Sequence, residues 1–333
     1  MFKLSKALFL SALTPMHVGS GSDLGIVDLP IQRENHTSFP KIEGSSMKGC
    51  IKEALLSQEA FRAPADKIWK YGEQEIDYKS MVYFAFGPES EEDGKFASAV
   101  ALSDARLLFF PVKSVKGVFA WVTCPLVLKR FWDDMKIAGI SLPLEIPAEN
   151  TIIPNSALCL SSDPLRIMLE EFPISVQECS KLSCFVTEIK KFLPQNELTE
   201  QMFADHVAVI NDDDFRDFVN LSTEVITRVR IGESGTVEDG ALFNEEYLPS
   251  DSLLYSLVLI SPIFIDKKDQ TQVAKIKDIA VEKQPEFIAD FLEKNMPDIL
   301  QIGGSMTLGK GLIGVKLNSA KANTPPKGDE ADA

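Results

Sequence analysis

The stretch HVGSGSDLGIVDLPIQR, residues 17–33, places three glycines, two serines and two aspartates directly after one of only three histidines in the chain. Glycine permits backbone angles and close approaches that other residues forbid, so such a loop either turns sharply or lies against a large partner. The carboxylates of Asp23 and Asp28 and the guanidinium of Arg33 add chemistry to this flexible backbone. We therefore treat the stretch, the N-terminal glycine loop, as the leading candidate for a functional site.

The composition is that of an ordinary globular protein. The 333 residues are 45% hydrophobic and 25% charged, enough for one large domain or two moderate ones. The five cysteines are odd in number and scattered without a CxxC pair, which favours reduced thiols in a cytoplasmic protein over a zinc site or disulfides. The opening MFKLSKALFLSALTP lacks a cleavage site and predicts a buried first strand, and no segment is long and apolar enough for a membrane.

The net charge of −15 argues at first against a nucleic-acid partner. The charge is uneven, however. Residues 1–56 hold six bases and five acids, and residues 299–328 hold four lysines and no acid. The negative charge lies in the middle, so a polyanion can meet the two chain ends while the acidic remainder faces solvent or a basic neighbour.

Strand and helix patterns alternate along the chain in the order typical of an α+β protein with large insertions. Helices are predicted from an N-cap at Ser45 or Ser46, over 126–139 and over 285–295, with an insertion at about 140–250 and a disordered tail at 319–333. A hairpin is predicted over 223–243 with its turn at 232–235. Apolar runs predict strands over 3–13, 81–87, 105–112, 119–125, 252–265 and 312–317.

The segment GSMTLGKG, residues 304–311, nearly matches a phosphate-binding P-loop. A P-loop needs Ser or Thr after its lysine and a following helix, whereas Gly311 follows Lys310 and LIGVKL reads as a strand. We therefore reject a nucleotide hydrolase. A backbone rich in N–H groups beside one lysine remains, suited to a phosphodiester chain, although a plain strand-connecting loop would look similar. GSSMKG, at a helix N-terminus with Lys48, is a second, weaker anion site.

Several separate motifs resemble one known family. LTPMHVGSGSDLGIVDLPIQRENHTSFPKIEGSSMKG, residues 13–49, resembles the N-terminal signature of the RAMP superfamily of CRISPR proteins, and IVDLPIQRE within it matches the repeated backbone subunit of the type III-B (Cmr) effector complex. Later blocks of that subunit resemble, in order, FFPVKSVKGVFAWVTCPLVL (109–128), DFVNLSTEVITRVRI (217–231), ALFNEEYLP (241–249) and IGGSMTLGKG (302–311). The likeness spans nearly the whole chain.

The resemblance implies a ferredoxin-like, RRM-related palm with an inserted β-hairpin thumb, here a single RAMP domain over 1–318. It further implies that copies stack with other Cmr-type subunits as a helical filament along a CRISPR RNA. Each thumb would wedge between guide and single-stranded target RNA, and the target would be cut beside it. The cutting would depend on a divalent metal, Mg²⁺ or Mn²⁺, and on a loop aspartate that aligns with Asp28.

One carboxylate is too little for a self-contained two-metal nuclease. It suffices if the RNA supplies its 2′-hydroxyl as nucleophile and phosphate oxygens as metal ligands, with Asp28 either orienting a hydrated ion or accepting the hydroxyl proton. We favour orientation of the ion, because a solvated aspartate with an ordinary pKa is a weak general base. His17 is a lesser catalytic candidate, because a loop histidine packed under its own turn is equally common. The predicted RNA-binding residues are Arg33, Ser46, Lys48, Lys113, Lys116, Arg228, Arg230, Gly303, Gly304, Gly309, Lys310 and Gly311.

Three alternatives stay open at this point. The chain could be a non-catalytic RNA-binding scaffold of a CRISPR complex, the related type III-A backbone subunit, or, less favourably, a phosphate-binding enzyme of the nucleotide class. Its acidity and its longer middle depart from many members of the family that it resembles.

Overall fold

The computed structural model describes residues 2–318 except 23–24, 62–66, 73, 91–93, 143–144, 163, 233–235 and 267–269. Asp23, the turn residues 233–235 and the predicted tail at 319–333 therefore lie outside the described residues. The assignment of residues 1–318 to one domain stays a prediction.

The secondary structure alternates between strands and helices along the chain. In the described residues the helices are α1 (Gly44–Phe61), α2 (Tyr78–Phe86), α3 (Pro125–Ile137), α4 (Ser180–Lys190), α5 (Glu197–Met202), α6 (Asp212–Leu221), α7 (Gln270–Ile276) and α8 (Gln284–Asn295), with short 3-10 helices at Val281–Lys283 and Met306–Leu308. The strands are β1 (Leu4–Ala12), β2 (Lys41–Ile42), β3 (Ile68–Tyr71), β4 (Gln74–Asp77), β5 (Phe96–Ala97), β6 (Val100–Leu102), β7 (Ala105–Lys113), β8 (Phe119–Thr123), β9 (Thr151–Ile152), β10 (Ser161–Ser162), β11 (Leu165–Leu169), β12 (Phe172–Ser175), β13 (Gln177–Glu178), β14 (Val207–Val209), β15 (Glu224–Ile231), β16 (Val237–Tyr247), β17 (Leu253–Ile260), β18 (Phe264–Ile265), β19 (Ile299–Gln301) and β20 (Leu312–Asn318).

The palm is a four-stranded antiparallel unit in the order β7-β17-β1-β20. Helix α1 lies between β1 and β7 in the chain, and α8 lies between β17 and β20. This βαββαβ arrangement is the predicted ferredoxin-like fold. Strand β1 is central, since Leu8 pairs with Ser256 of β17 on one side and with Leu317 of β20 on the other. Most of its residues are accordingly buried.

The sheet continues beyond β7 into an insertion. Strand β8 pairs antiparallel with β7, β14 runs parallel to β8, and β9 and β13 follow. The strand predicted over 119–125 is confirmed as β8, and Pro125 then opens α3, where its missing N–H costs nothing.

The predicted hairpin forms a two-stranded sheet of its own, which we call the thumb hairpin (β15 and β16). Its pairing runs from Glu224↔Tyr247 to Ile231↔Val237, so the second strand extends past the predicted end at 243. Val229 and Leu242 form a cross-strand pair, and both side chains are more than half exposed. The thumb hairpin therefore presents aliphatic surface to its surroundings.

Two sequence predictions are wrong. Residues 81–87 lie mostly in α2, which Asp77 caps by accepting a 2.8 Å hydrogen bond from the Ser80 amide. The helix is buried on nearly every side, so its apolar residues show no helical period. Helix α1 begins at Gly44, ahead of both serines, because the Asp104 carboxylate accepts the Gly44 amide hydrogen bond at 3.0 Å. A distant side chain thus replaces the expected serine cap.

Among the described residues, no helix combines the length and the apolar character that crossing a bilayer requires.

Candidate nucleic-acid interface

The N-terminal glycine loop meets the C-terminal glycine loop, residues 303–311, at one end of the palm. The antiparallel pairing of β1 with β20 brings the two loops together, and the Gly304 amide donates a 2.9 Å hydrogen bond to the His17 carbonyl. Gly303 has φ +88°, and a Cβ there would lie 2.2 Å from the same carbonyl oxygen. The approach of the two backbones therefore requires glycine at this position.

Asp28 lies on the surface where the N-terminal glycine loop passes the root of the thumb hairpin. Its Oδ2 accepts a 2.8 Å hydrogen bond from the Asn244 amide, and the Leu29 amide donates to the Asn244 carbonyl at 3.0 Å. In the part of the chain that the structure describes, Asp28 Oδ1 has no hydrogen-bond partner. Backbone pairing thus fixes the position of an exposed carboxylate that keeps one oxygen for a ligand.

His17 is directed toward the thumb hairpin. Its Nδ1 donates a 2.7 Å hydrogen bond to the Glu246 carbonyl, and its Nε2 lies 3.9 Å from Glu245 Oε1. The ring also packs edge-on against Tyr247 with centroids 5.7 Å apart. His17 therefore packs against β16 of the thumb hairpin, and a role for His17 in proton transfer stays a prediction.

Glu245 and Tyr247 join the thumb hairpin to the C-terminal glycine loop. Arg228 Nε donates to Glu245 at 2.6 Å, the Tyr247 hydroxyl also donates to Glu245, and Lys310 Nζ lies 5.0 Å from the Tyr247 ring centroid. Burial alone would raise the pKa of Glu245, but hydrogen bonds from Tyr247 and Arg228 outweigh it and lower that pKa, with nearby His17 helping. Arg228 and Lys310 are thus held at the root of the thumb hairpin.

Arg33 makes internal hydrogen bonds. Its Nη1 donates to the carbonyls of Ser38 and Val219 and to the Asn220 side chain at 2.8–3.0 Å, and its Nη2 donates to Glu246 Oε1 at 2.6 Å. The predicted contact of Arg33 with a guide phosphate stays a prediction that these bonds do not favour.

The start of α1 lies beside the C-terminal glycine loop. The Cys50 thiol, whose pKa burial raises, hydrogen-bonds with the backbone of Gly303. Lys48 is half-buried on the same helix, and both burial and the neighbouring Lys52 lower its pKa. Ser46 is partly exposed in the first turn. The first turns of α1 therefore lie against the C-terminal glycine loop.

Two predicted RNA-binding residues, Lys113 and Lys116, lie on the side of the palm that carries the insertion. Lys116 Nζ donates to the Cys159 carbonyl at 2.7 Å and so faces the insertion, whereas Lys113 is exposed at the end of β7, where its carbonyl accepts the Glu170 amide at 2.8 Å. Arg230 lies in β15, and its side chain is outside the described part of the chain.

The C-terminal glycine loop leads into a strand, as the sequence predicts. Gly309 and Gly311 have φ +70° and +76°, and β20 begins directly after Gly311. A strand where a P-loop needs a helix agrees with our rejection of a nucleotide hydrolase.

No cluster of three or more His, Cys, Asp or Glu side chains able to hold a metal ion occurs among the described residues. Asp28 offers one carboxylate oxygen, Oδ1, that has no hydrogen-bond partner among the described residues. That donor set suits a divalent ion held mostly by ligands from elsewhere, such as phosphate oxygens.

Sequence reasoning missed Glu245, Glu246 and Tyr247 as site residues. They stand within the quoted block ALFNEEYLP, but their partners are Arg228, Arg33 and the two glycine loops, in most cases far away in the sequence. Two adjacent glutamates in a strand were the available signal, since one of them has to face the protein.

The ferredoxin-like palm, the thumb hairpin and the joined glycine loops define a class that comparison with known proteins identifies. The chain belongs to the RAMP superfamily, whose family model matches residues 9–314. It is 41% identical over 319 residues to the CRISPR system Cmr endoribonuclease Cmr4 of Pyrococcus furiosus, covering 94% of this chain and 96% of that protein. It is 27% identical to the CRISPR system CMR subunit Cmr4 of Saccharolobus solfataricus, and the match covers 92% of this chain and 94% of that protein.

Solved structures agree. The crystal structure of oligomeric Cmr4 from Pyrococcus furiosus matches with a TM-score of 0.64 at 33% identity, covering 96% of this chain and 99% of that one. A chain of the type III-B Cmr-beta complex bound to cognate target RNA matches with a TM-score of 0.65 at 22% identity, covering 95% and 98%, which shows the shared fold.

Proposed function

We propose that this protein is the CRISPR RNA-binding backbone subunit of a type III-B effector complex, and that within the complex it cleaves complementary target RNA beside Asp28. The proposal rests on the end-to-end likeness to a Cmr endoribonuclease at 41% identity. The observation that carries it is an exposed carboxylate, Asp28, which the Asn244 amide holds at the root of the thumb hairpin.

RNA binding follows from the surface around the two glycine loops. Residues 303, 304 and 306–309 are exposed, Lys310 follows them, and Lys48 lies on the neighbouring α1, although the amides of Gly304 and of residues 308–311 are bonded within the protein. Close approach of backbone to backbone gives contacts with phosphates that do not depend on base identity. Sequence specificity would then come from base pairing between guide and target.

The chemistry needs RNA groups as well as protein groups. In our proposal the 2′-hydroxyl of the target nucleotide loses its proton to solvent as its oxygen attacks the adjacent phosphorus, the bond from phosphorus to the 5′-oxygen breaks to leave a 2′,3′-cyclic phosphate, and the leaving 5′-oxygen takes up a proton from solvent. Asp28 Oδ1 would hold a divalent ion, Mg²⁺ or Mn²⁺, with phosphate oxygens as further ligands. When bound, such an ion neutralises charge that develops on the phosphate. Asp28 thus orients the ion and the phosphate oxygens that it contacts.

Self-association and partner subunits belong to the same proposal. A similar protein crystallised as an oligomer, and a chain of the same fold belongs to a Cmr-beta complex. We expect copies of this chain to stack along the guide together with other Cmr-type subunits. An isolated copy would then cut RNA poorly, because guide and neighbours complete each site.

Substitution of Asp28 tests the proposal in the reconstituted complex. We expect Asp28→Ala to lower the single-turnover cleavage rate by about 100-fold or more while guide and target affinities stay within about twofold, because in the proposal the carboxylate acts at the cleavage site and other residues bind the RNA. Asp133→Asn, an exposed carboxylate on α3, is the matched control. Unchanged cleavage in the Asp28 variant would favour the non-catalytic scaffold.

A further inference from the structure

Glu246 is a buried carboxylate at the root of the thumb hairpin, only 5% exposed. One oxygen accepts the Ile31 amide at 3.0 Å, and the other accepts Arg33 Nη2 at 2.6 Å and the Thr223 hydroxyl at 2.8 Å. Its main chain also bonds to the N-terminal glycine loop, because the Glu246 amide donates to the Leu29 carbonyl at 3.0 Å. One residue therefore fixes the segment that directly follows Asp28.

We propose that Glu246 is a positioning residue for RNA cleavage, which holds residues 29–33 so that Asp28 stays at the Asn244 amide. The inference rests on the proposed function, since it assigns Glu246 a task only if Asp28 takes part in cleavage. Glu246 does not touch the RNA. It acts through the loop.

The hydrogen bonds explain why the carboxylate is needed. Without it, the buried Ile31 amide loses its acceptor and the largely buried Arg33 guanidinium loses its counter-charge, both of which are costly in a site shielded from water. The loop would relieve these costs by moving away from the thumb hairpin, and Asp28 would move with it. Displacement of a reacting group by about 1 Å can lower a rate by about 100-fold.

Glu246 is also placed to join the loop to the thumb hairpin. Thr223 directly precedes β15, so the oxygen that accepts from Thr223 and Arg33 bonds to both parts at once. The adjacent Glu245 points to the other face of β16, where Arg228 and Tyr247 bind it. The two neighbouring glutamates therefore have separate tasks, and only Glu246 bonds to residues 29–33 through its carboxylate in the described part of the chain.

The test uses the reconstituted complex with guide RNA and compares Glu246→Gln with Asp134→Asn. Asp134 is a matched control because it is also a largely buried carboxylate paired with an arginine, Arg106, but its carboxylate makes no hydrogen bond to residues 17–33 in the described part of the chain. We expect Glu246→Gln to lower the single-turnover cleavage rate by about 10- to 100-fold with target affinity within about twofold. Asp134→Asn should keep the wild-type cleavage rate even if it lowers the melting temperature as much as Glu246→Gln does.

Arg33 provides a second, independent comparison. Arg33→Lys keeps a positive charge for Glu246 and should retain most of the rate, whereas Arg33→Met should match Glu246→Gln. A phosphate-binding role for Arg33 would instead weaken RNA affinity in Arg33→Met.

The outcomes separate this inference from the proposed function. If Asp28→Ala abolishes cleavage and Glu246→Gln leaves the rate unchanged, the positioning role is overturned and the proposed function stands. An equal loss of rate in Asp134→Asn would also overturn it, because the effect would then be general destabilisation. If Asp28→Ala cleaves normally, the proposed function itself is wrong.

Discussion

The main-chain carbonyl of His17 accepts a 2.9 Å hydrogen bond from the Gly304 amide, although the two residues stand at opposite ends of the chain. This bond, together with Gly303 packed against the same carbonyl, joins the two glycine loops into one surface. The surface can be tested at each of its parts.

Gly303→Ala should disrupt the junction. The new Cβ would lie 2.2 Å from the His17 carbonyl at φ +88°, so one backbone has to move. We expect a loss of at least about 2 kcal/mol in the free energy of unfolding, measured by urea denaturation. Gly309→Ala, at φ +70° with no atom within 4 Å, should lose only about 1 kcal/mol. Equal losses would show that the backbone contact is unimportant.

Lys48→Gln should weaken guide RNA binding without changing base preference. A lysine that contacts a phosphate releases counterions on binding, so its removal should lower the slope of log K against log salt by about 0.7 for single-stranded RNA. Lys136→Gln, on an exposed part of α3, is the control and should leave the slope unchanged. If both variants keep the wild-type slope, Lys48 does not contact the RNA.

Glu245 should contribute to stability in a pH-dependent way. Its pKa is lowered in the folded protein, so its contribution is present above the ordinary glutamate value of 4.5 and is lost as pH falls through the folded-state pKa. Glu245→Gln should therefore be less stable than wild type at pH 7, and the difference should shrink below pH 4.5. Glu171→Gln, an exposed carboxylate, should follow the wild-type curve, and a pH-independent gap for Glu245→Gln would contradict the pairing.

Chelation should separate cleavage from stability. Because the metal ligands in the proposed site come mostly from RNA, EDTA should stop target cleavage in the reconstituted complex while RNA binding persists. The melting temperature of the free protein should shift by less than about 1 °C, since an ion that binds the folded chain weakly adds little stability. A large shift would reveal a resident metal site in the protein.

The sequence was sufficient to predict the strands and helices whose patterns depend on neighbouring residues alone. The buried strands β1, β7 and β17 are apolar runs, and α8 has a helical period with proline near its start. Helix α2 defeated the same reasoning because burial on nearly all sides erases the period that separates a helix from a strand.

The sequence alone was also enough to identify the loop that carries Asp28, since glycines beside a carboxylate can be recognised without knowing their tertiary contacts. Only the tertiary structure decided what surrounds that loop. The partners of Glu246 include Ile31 and Arg33, more than 200 positions away, and the Arg33 side chain is bound internally by groups that no local pattern could indicate. The physical reason is that propensity and periodicity depend on near neighbours, whereas a buried carboxylate takes its partners from whichever strands and loops the fold brings within hydrogen-bonding distance.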